Sequence, residues 1–297
     1  MEKQGISKKF IEMPPSYSEF RRIRKVFFRR RLAMIGFVIT VLLIFSAIFA
    51  PLLAPYDPYK MNLSKKLLQP SWEHLLGTDA VGRDTLSRII YGSRTSLMVG
   101  IIAVSIAAII GQPLGLTAAY FGGATHAIIM RLIDALMSVP MILSALVIGA
   151  LLGGGLKNVI VALGIGMIAV HARLMCGQAL TIMQTDYVTA AKSLGASNLR
   201  IMLWHLLPNS FPPLLVLITI EMGICILAEA GLSFLGLGIA PPGAAWGSMV
   251  SDGYAYLLTQ PALSIAPGFA IMLVVFGFNM VGDGLRDALD PRLRGTL

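Results

Sequence analysis

Leu32-Ala-Met-Ile-Gly-Phe-Val-Ile-Thr-Val-Leu-Leu-Ile-Phe-Ser-Ala-Ile-Phe-Ala-Pro-Leu-Leu-Ala-Pro-Tyr56 is a run of 25 residues without a charged side chain. As a helix it extends about 37 Å, enough to cross a ~30 Å hydrocarbon core with some tilt. Arg29-Arg30-Arg31 stands directly before it, and no small-residue cleavage site follows before Pro51 and Pro55. The run is too long for a signal-peptide core and reads as a retained first membrane helix.

The rest of the chain has the same character. Its 297 residues are 56% hydrophobic and 13% charged, against about 25% charged in soluble domains, and the mean hydropathy is +0.76. Further uncharged stretches cover 95–130, 135–156, 230–251 and 253–282. At ~20 residues per crossing, the chain accommodates six spans. The later five are expected within Ser96–Tyr120, within Ile128–Leu152, from Asn158 to Ala179, within Phe211–Leu235, and from Leu263 to Val281. This all-α integral membrane composition excludes a disordered chain, a secreted disulfide scaffold and a cytosolic enzyme. Cys176 and Cys225 sit in apolar surroundings and suggest neither a disulfide frame nor a metal site.

Residues 1–31 hold ten of the 24 Lys/Arg and only three acids. A basic block abutting a span is a cytoplasmic anchor on anionic lipid rather than a nucleic-acid site. With both termini cytoplasmic, 17 Lys/Arg fall inside and seven outside, the bias expected of six spans. The organisation is then a basic cytoplasmic segment (1–31), a first helix with an extracytoplasmic loop (32–93), a five-helix core (94–283) and a cytoplasmic tail (284–297). Gly111-x-x-x-Gly115 and Gly149-x-x-x-Gly153 permit close helix approach.

Two loops exceed what a connection needs. The outer one, 55–94, contains Gly77-Thr78-Asp79-Ala-Val-Gly82-Arg83-Asp84. Two glycines beside aspartates favour tight turns with side-chain-to-backbone hydrogen bonds, and the alternating Asp and Arg suit ion pairing. His74 and the aspartates fit no standard metal spacing. The inner one, about 180–210, is expected to fold as a helix–turn–helix. Asp186 caps a short helix, Gly195 ends it, Ser197 caps a second, and Pro208 stops or kinks that one. Such an exposed element suits a partner's groove.

The run Thr189-Ala190-Ala191-x3-Gly195 followed by Leu207-Pro208 resembles the EAA loop of the permease subunits of ABC importers. Thr189 stands where that pattern has Glu, and His205 where Ile is usual. Gly77-Thr78-Asp79-x-x-Gly82-Arg83-Asp84, Leu232-Ser233-Phe234-Leu235-Gly236-Leu237-Gly238, Trp246-Gly247 and Gly282-Asp283-Gly284-Leu285-Arg286-Asp287-x-x-Asp290-Pro291 resemble the DppC/OppC-like subunit of the dipeptide/oligopeptide/nickel branch. The resemblance covers about residues 20–293.

It implies a type I importer (MetI-like) fold in a bacterial or archaeal cell membrane, and one half of a pathway for di- or oligopeptides, nickel–chelates or glutathione. The implied partners are a second permease (DppB/OppB-like), two cytoplasmic ATPases and an extracytoplasmic substrate-binding protein. ATPase docking is expected at Asp186, Tyr187, Thr189, Ala190, Ala191, Leu194, Gly195, Ala196, Leu207 and Pro208. Gly77, Thr78, Asp79, Gly82, Arg83 and Asp84, with the connector near Pro241–Tyr256, belong to the outer face where the binding protein docks.

No Gly-x4-Gly-Lys-Ser/Thr phosphate loop occurs in the sequence, so the energy source must lie in a partner if transport is uphill. No catalytic residue and no cofactor is expected. Gly231-x-Ser233 begins like a nucleophile elbow, but Leu235 stands where the closing glycine belongs. Buried carboxylates in a span usually face a bundle interior or water. Glu229 is read as pathway wall or internal anchor, Glu221 as an anchor, and Met222 as a possible path lining. Arg131 and Asp134 are spaced to pair across one turn, and His171 and Arg173 to meet headgroups. The rival reading is a stand-alone ion-coupled carrier or channel, which predicts function without an ATPase.

Overall fold

The computed structural model describes residues 19–239 and 241–289. Residues 1–18 of the basic segment, and Asp290, Pro291, Arg292 and Arg294 of the expected tail, lie outside the described residues. The helices in chain order are α1 (Glu19–Arg29), α2 (Arg31–Ile48), α3 (Ala50–Leu53), α4 (Thr85–Phe121), α5 (Gly123–Met137), α6 (Met141–Leu152), α7 (Leu156–Met183), α8 (Asp186–Ser193), α9 (Asn198–Arg200), α10 (Leu207–Phe234), α11 (Trp246–Tyr254) and α12 (Ala262–Leu289). A π-helical segment, Ile201–Leu206, joins α9 to α10.

Five stretches are long and apolar enough to cross a membrane: α2, α4, α7, Asn198–Phe234 and α12. The third expected span differs from a straight helix. It is the pair α5 and α6, bent by 84°. Pro140 lacks an N–H and keeps Val139 from helical dihedrals, so the helix breaks there. The pair still carries the chain from the end of α4 to Gly155, whose N–H donates to the Gly238 carbonyl beyond the far end of α10 at 2.9 Å. The architecture therefore has six crossings if the bent pair is one. The first span is also shorter than the uncharged run, because α2 ends at Ile48 and Pro51 sits in the first turn of α3.

Glycines set the closest packing. A Cβ on Gly111 would lie 2.5 Å from the Ile168 carbonyl oxygen, and one on Gly115 only 2.1 Å from that of Ala172. These two residues are where α4 and α7 touch backbone to backbone, as small-residue spacing allows. Gly149 has no such neighbour, and Gly153 lies beyond the end of α6. α10 and α12 meet at Gly223 and Gly282, and α12 meets α2 at Gly36 and Gly277.

α4, at 37 residues, runs about 55 Å and outlasts the hydrocarbon core. It begins at Thr85, so the outer loop is complete by Asp84. At the other end of the chain, α12 continues to Leu289 and includes the first residues of the expected tail. There Ala288 packs on Phe27 of α1 and Ala33 of α2, and Arg30 lies 2.5 Å from Asp287.

Candidate functional site

The outer loop is built from buried polar groups. Gly77 (φ +73°) and Gly82 (φ +76°) turn the chain. Asp79 Oδ1 accepts from the N–H groups of Val81 and Arg83 at 3.0 and 2.9 Å, while Oδ2 takes Arg83 Nε at 2.6 Å. Asp84 caps α4, accepting from Ser87 N at 2.8 Å and Ser87 Oγ at 2.7 Å. Its other oxygen lies 2.9 Å from His74 Nδ1. A carboxylate only accepts, so that nitrogen carries the proton. Thr78 is fully buried and pairs with Asp84 in a single antiparallel bridge.

Arg88, one turn into α4, fastens this loop to the second outer connector. Its guanidinium donates to the carbonyls of Pro58, Pro242 and Gly243 at 3.2–3.3 Å. Trp246 of α11 donates from Nε1 to the Ile89 carbonyl at 2.9 Å and lies against Gly92, the only residue small enough there. Gln69 donates to Thr259 at 3.0 Å. At the exposed rim, Lys65 bonds Glu73; the ammonium holds that carboxyl below its ordinary value of 4.5, and its own pKa rises. Trp72 beside it is 97% exposed.

The inner loop has the opposite character. Asp186 is the first residue of α8 but does not cap it. Thr185 holds the cap position without a side-chain bond, and Asp186 acts only through its charge in the first turn. Gly195 (φ +79°) ends the helix in a Schellman arrangement, with Ala196 N donating to Ala191 O and Gly195 N to Lys192 O. Ser197 Oγ caps α9 through Arg200 N. Pro208 does not stop the helix. The wider π turn just before it absorbs the missing N–H, and one continuous stretch reaches Phe234.

Of the expected docking residues, Asp186, Tyr187, Thr189, Ala190, Leu194, Gly195 and Pro208 are exposed, and Ala191, Ala196 and Leu207 are half-buried. Val188 alone of α8 turns inward. Leu194 is 88% and Trp204 76% exposed, with Leu199 between them. Tyr120 at the end of α4 fixes the loop, donating to Asn198 at 2.8 Å and lying under the Lys192 ammonium.

Within the spans, Glu229 is completely buried and accepts from Ser233 Oγ at 2.6 Å. Met222 packs its thioether on Gly100. Neither reaches a surface of this chain. His171 is also fully buried, with Nε2 2.7 Å from Glu221 Oε2 but the N–H outside hydrogen-bond geometry. The headgroup contact expected of His171 is not what the structure has, because its side chain is fully buried; Arg173 stays half-exposed. Residues two apart on a helix point to nearly opposite faces, so His171 enters the core while Arg173 reaches across to Asp134. Arg173 thus pairs with Asp134 in the place expected for Arg131. Trp72, an aromatic set among the polar turn residues Ser71 and Glu73, carries a sequence signal for an exposed contact; Trp204, within the apolar run Ile201–Leu206, carries none.

Comparisons with known proteins agree with this architecture. Residues 111–295 match the family described as binding-protein-dependent transport system inner membrane component. Residues 18–70 match the N-terminal TM domain of oligopeptide transport permease C. A dipeptide transport system permease protein DppC from Alkalihalophilus pseudofirmus is 43% identical over 96% of this chain and 92% of its own length. A probable D,D-dipeptide transport system permease protein DdpC from Escherichia coli is 45% identical over 87% of each chain. A glutathione transport system permease protein GsiD from Escherichia coli is 41% identical over 95% of this chain and 92% of its own. Among solved structures, an inward-facing form of the MetNI methionine ABC transporter contains a chain with a TM-score of 0.57 at 20% identity, covering 69% of this chain and 97% of that one. At that identity the likeness speaks for the fold.

Proposed function

From the premise that this chain belongs to the binding-protein-dependent transport system inner membrane component family, we propose that it is one half of the translocation pathway of an ATP-driven importer for short peptides or peptide-like solutes such as glutathione. Its relatives at 41–45% identity are named for dipeptides and glutathione, and a transport permease rather than an enzyme is what the family supplies. Nickel–chelate cargo rests on the sequence resemblance alone.

The observation that carries the reading is the inner loop. A folded helix–turn–helix that leaves Leu194, Leu199 and Trp204 uncovered has the anchors of an interface without its partner. Two cytoplasmic ATPases are the partners this surface serves, one on this chain and one on a second permease. Hydrolysis then stays in subunits that contact α8, and the stiff link from α8 through the π segment into α10 transmits their movement. The outer loop and α11 form the platform for a substrate-binding protein, with Trp72, Tyr254 and Leu258 exposed on that side.

The packing of α1 against the end of α12 supports both termini on one face, hence an even number of crossings. With the basic residues of 1–31, that face is the cytoplasmic one of a bacterial or archaeal cell membrane. Glu229 and Met222 belong to the helix packing of the half-channel and meet cargo only when α10 and α4 part.

The test is a mild-detergent purification of the tagged chain from its native membrane. A second permease and ATPase activity should come with it, and both ATPase association and uptake should be lost on Gly195→Pro, since proline cannot adopt φ +79°. Purification of a lone, ATP-silent protein under conditions that preserve other membrane complexes refutes the assignment.

A further inference from the structure

Between the outer loop and α11 lies a cavity of about 450 Å³ that the packing of the platform does not use. It is within the size range of small-ligand sites, roughly 300–1,000 Å³. Asp79, Arg83, Thr85, Arg88, Asp252 and Tyr256 are among its lining residues. Gln69 to Thr259 and Arg88 to Gly243 hold its walls together.

The lining groups differ in how far they are already satisfied. Arg88 spends its guanidinium on three carbonyls, and Asp79 spends both oxygens on Val81 and Arg83. Arg83 itself is 7% exposed and gives only Nε to Asp79; its two Nη groups donate to no described residue. The Thr85 hydroxyl, on a residue 1% exposed, has no hydrogen-bond partner among the described residues. The buried Thr85 hydroxyl left unpaired carries a free-energy cost. Here an arginine fork and a hydroxyl share one cavity, a pairing that suits a carboxylate. Asp252, also among the lining residues, is an exposed carboxylate with no ion pair among the described residues.

We propose that this cavity is a subsite for a zwitterionic solute of one or two amino acids, with its carboxylate on Arg83 Nη and Thr85 Oγ1 and its ammonium on Asp252. Taking peptides as the cargo rests on the function proposed above; the cavity's charge arrangement does not. A site on this chain's outer face holds a released peptide beside the mouth of the pathway before entry.

The purified assembly, in lipid nanodiscs and without its binding protein, is titrated with Ala-Ala, N-acetyl-Ala-Ala and Ala-Ala-amide, followed by saturation-transfer NMR. Ala-Ala is expected to bind and each end-blocked form to bind at least about tenfold more weakly. Thr85→Val, which removes a hydroxyl that bonds no described residue, and Asp252→Asn should each weaken Ala-Ala about tenfold without lowering the melting temperature. N-acetyl-Ala-Ala binding as well as Ala-Ala overturns the zwitterion assignment and leaves a plain carboxylate site, such as one for an acidic side chain of a partner. Equal binding by wild type and both variants, or no Ala-Ala signal in wild type, overturns the cavity assignment. Cellular uptake of Ala-Ala run in parallel separates the two readings. Uptake with binding that neither variant changes sinks the subsite and leaves the importer standing; absence of both ATPase association and peptide uptake sinks the importer.

Discussion

At Gly82 the backbone φ is +76° and an added Cβ would fall 1.8 Å from the Asn62 carbonyl oxygen; at Gly195 φ is +79° and nothing lies within 4 Å. The same backbone conformation thus serves two purposes at the two ends of the bundle. The outer loop uses it to press chain against chain over a set of buried ion pairs and hydrogen bonds. The inner loop uses it to turn between two helices held out from the protein. The outer loop is braced by contacts within the subunit, with Trp72 and Leu258 left bare at its rim, whereas the inner helix–turn–helix is held out from the bundle and exposes Leu194, Leu199 and Trp204. That difference fits a platform at one face and a moving joint at the other.

The largest effect should come where the two glycines are made alike. Gly82→Ala combines left-handed strain with overlap on backbone atoms that cannot rotate away, and should cost about 3 kcal/mol or more. Gly195→Ala has only the strain, about 1–2 kcal/mol. Thermal unfolding of the two variants, in the same detergent, compares them directly. Similar losses would mean that Asn62 yields freely and the outer loop is not the rigid one.

A smaller contrast lies in the first turns of α4 and α8. Asp84→Asn keeps an acceptor for the Ser87 N–H but loses the charge facing His74 in a buried site, at about 2 kcal/mol. Asp186→Asn loses a partial compensation of the helix dipole at an exposed position, at most about 0.5 kcal/mol. Denaturation midpoints should separate the pair; equal values would show that the His74–Asp84 contact contributes nothing net.

Much of this arrangement was legible in the residues, and the failures share one cause. Uncharged runs gave the spans, and Gly195 and Ser197 gave the inner turn, because these depend on local propensity. α4 between Thr85 and Arg94 was read as loop, since Arg88 and Arg94 look like surface residues. What makes the segment helical is Asp84 at its start and Trp246 packed on Gly92, a contact spanning more than half the chain. The third span is expected as one helix within Ile128–Leu152, and the 84° bend at Pro140 is not anticipated from the uncharged run. His171 and Arg173 stood two apart near a membrane edge; only the positions of α5 and α10 decide that one meets Asp134 and the other Glu221. Of the candidate sites, the inner loop was visible as a motif, whereas the outer cavity was not, because its lining comes from two loops about 170 residues apart.

The smallest stability change belongs to the residue with the most to lose in function. Leu194 is 88% exposed, so Leu194→Asp removes no internal contact and should alter the melting temperature of the isolated chain by no more than about 0.5 kcal/mol in equivalent stability. In the assembly the same carboxylate has to be desolvated at an apolar contact, a cost on the order of several kcal/mol when unpaired. ATPase recovered per permease should therefore fall sharply while the permease itself melts unchanged. An outer-loop variant such as Asp84→Asn should show the reverse, a lowered melting temperature with ATPase still bound to whatever folds. If Leu194→Asp instead destabilises the isolated chain, the inner loop is packed on its own subunit in the membrane, and the division between an internally braced loop and a projecting one fails.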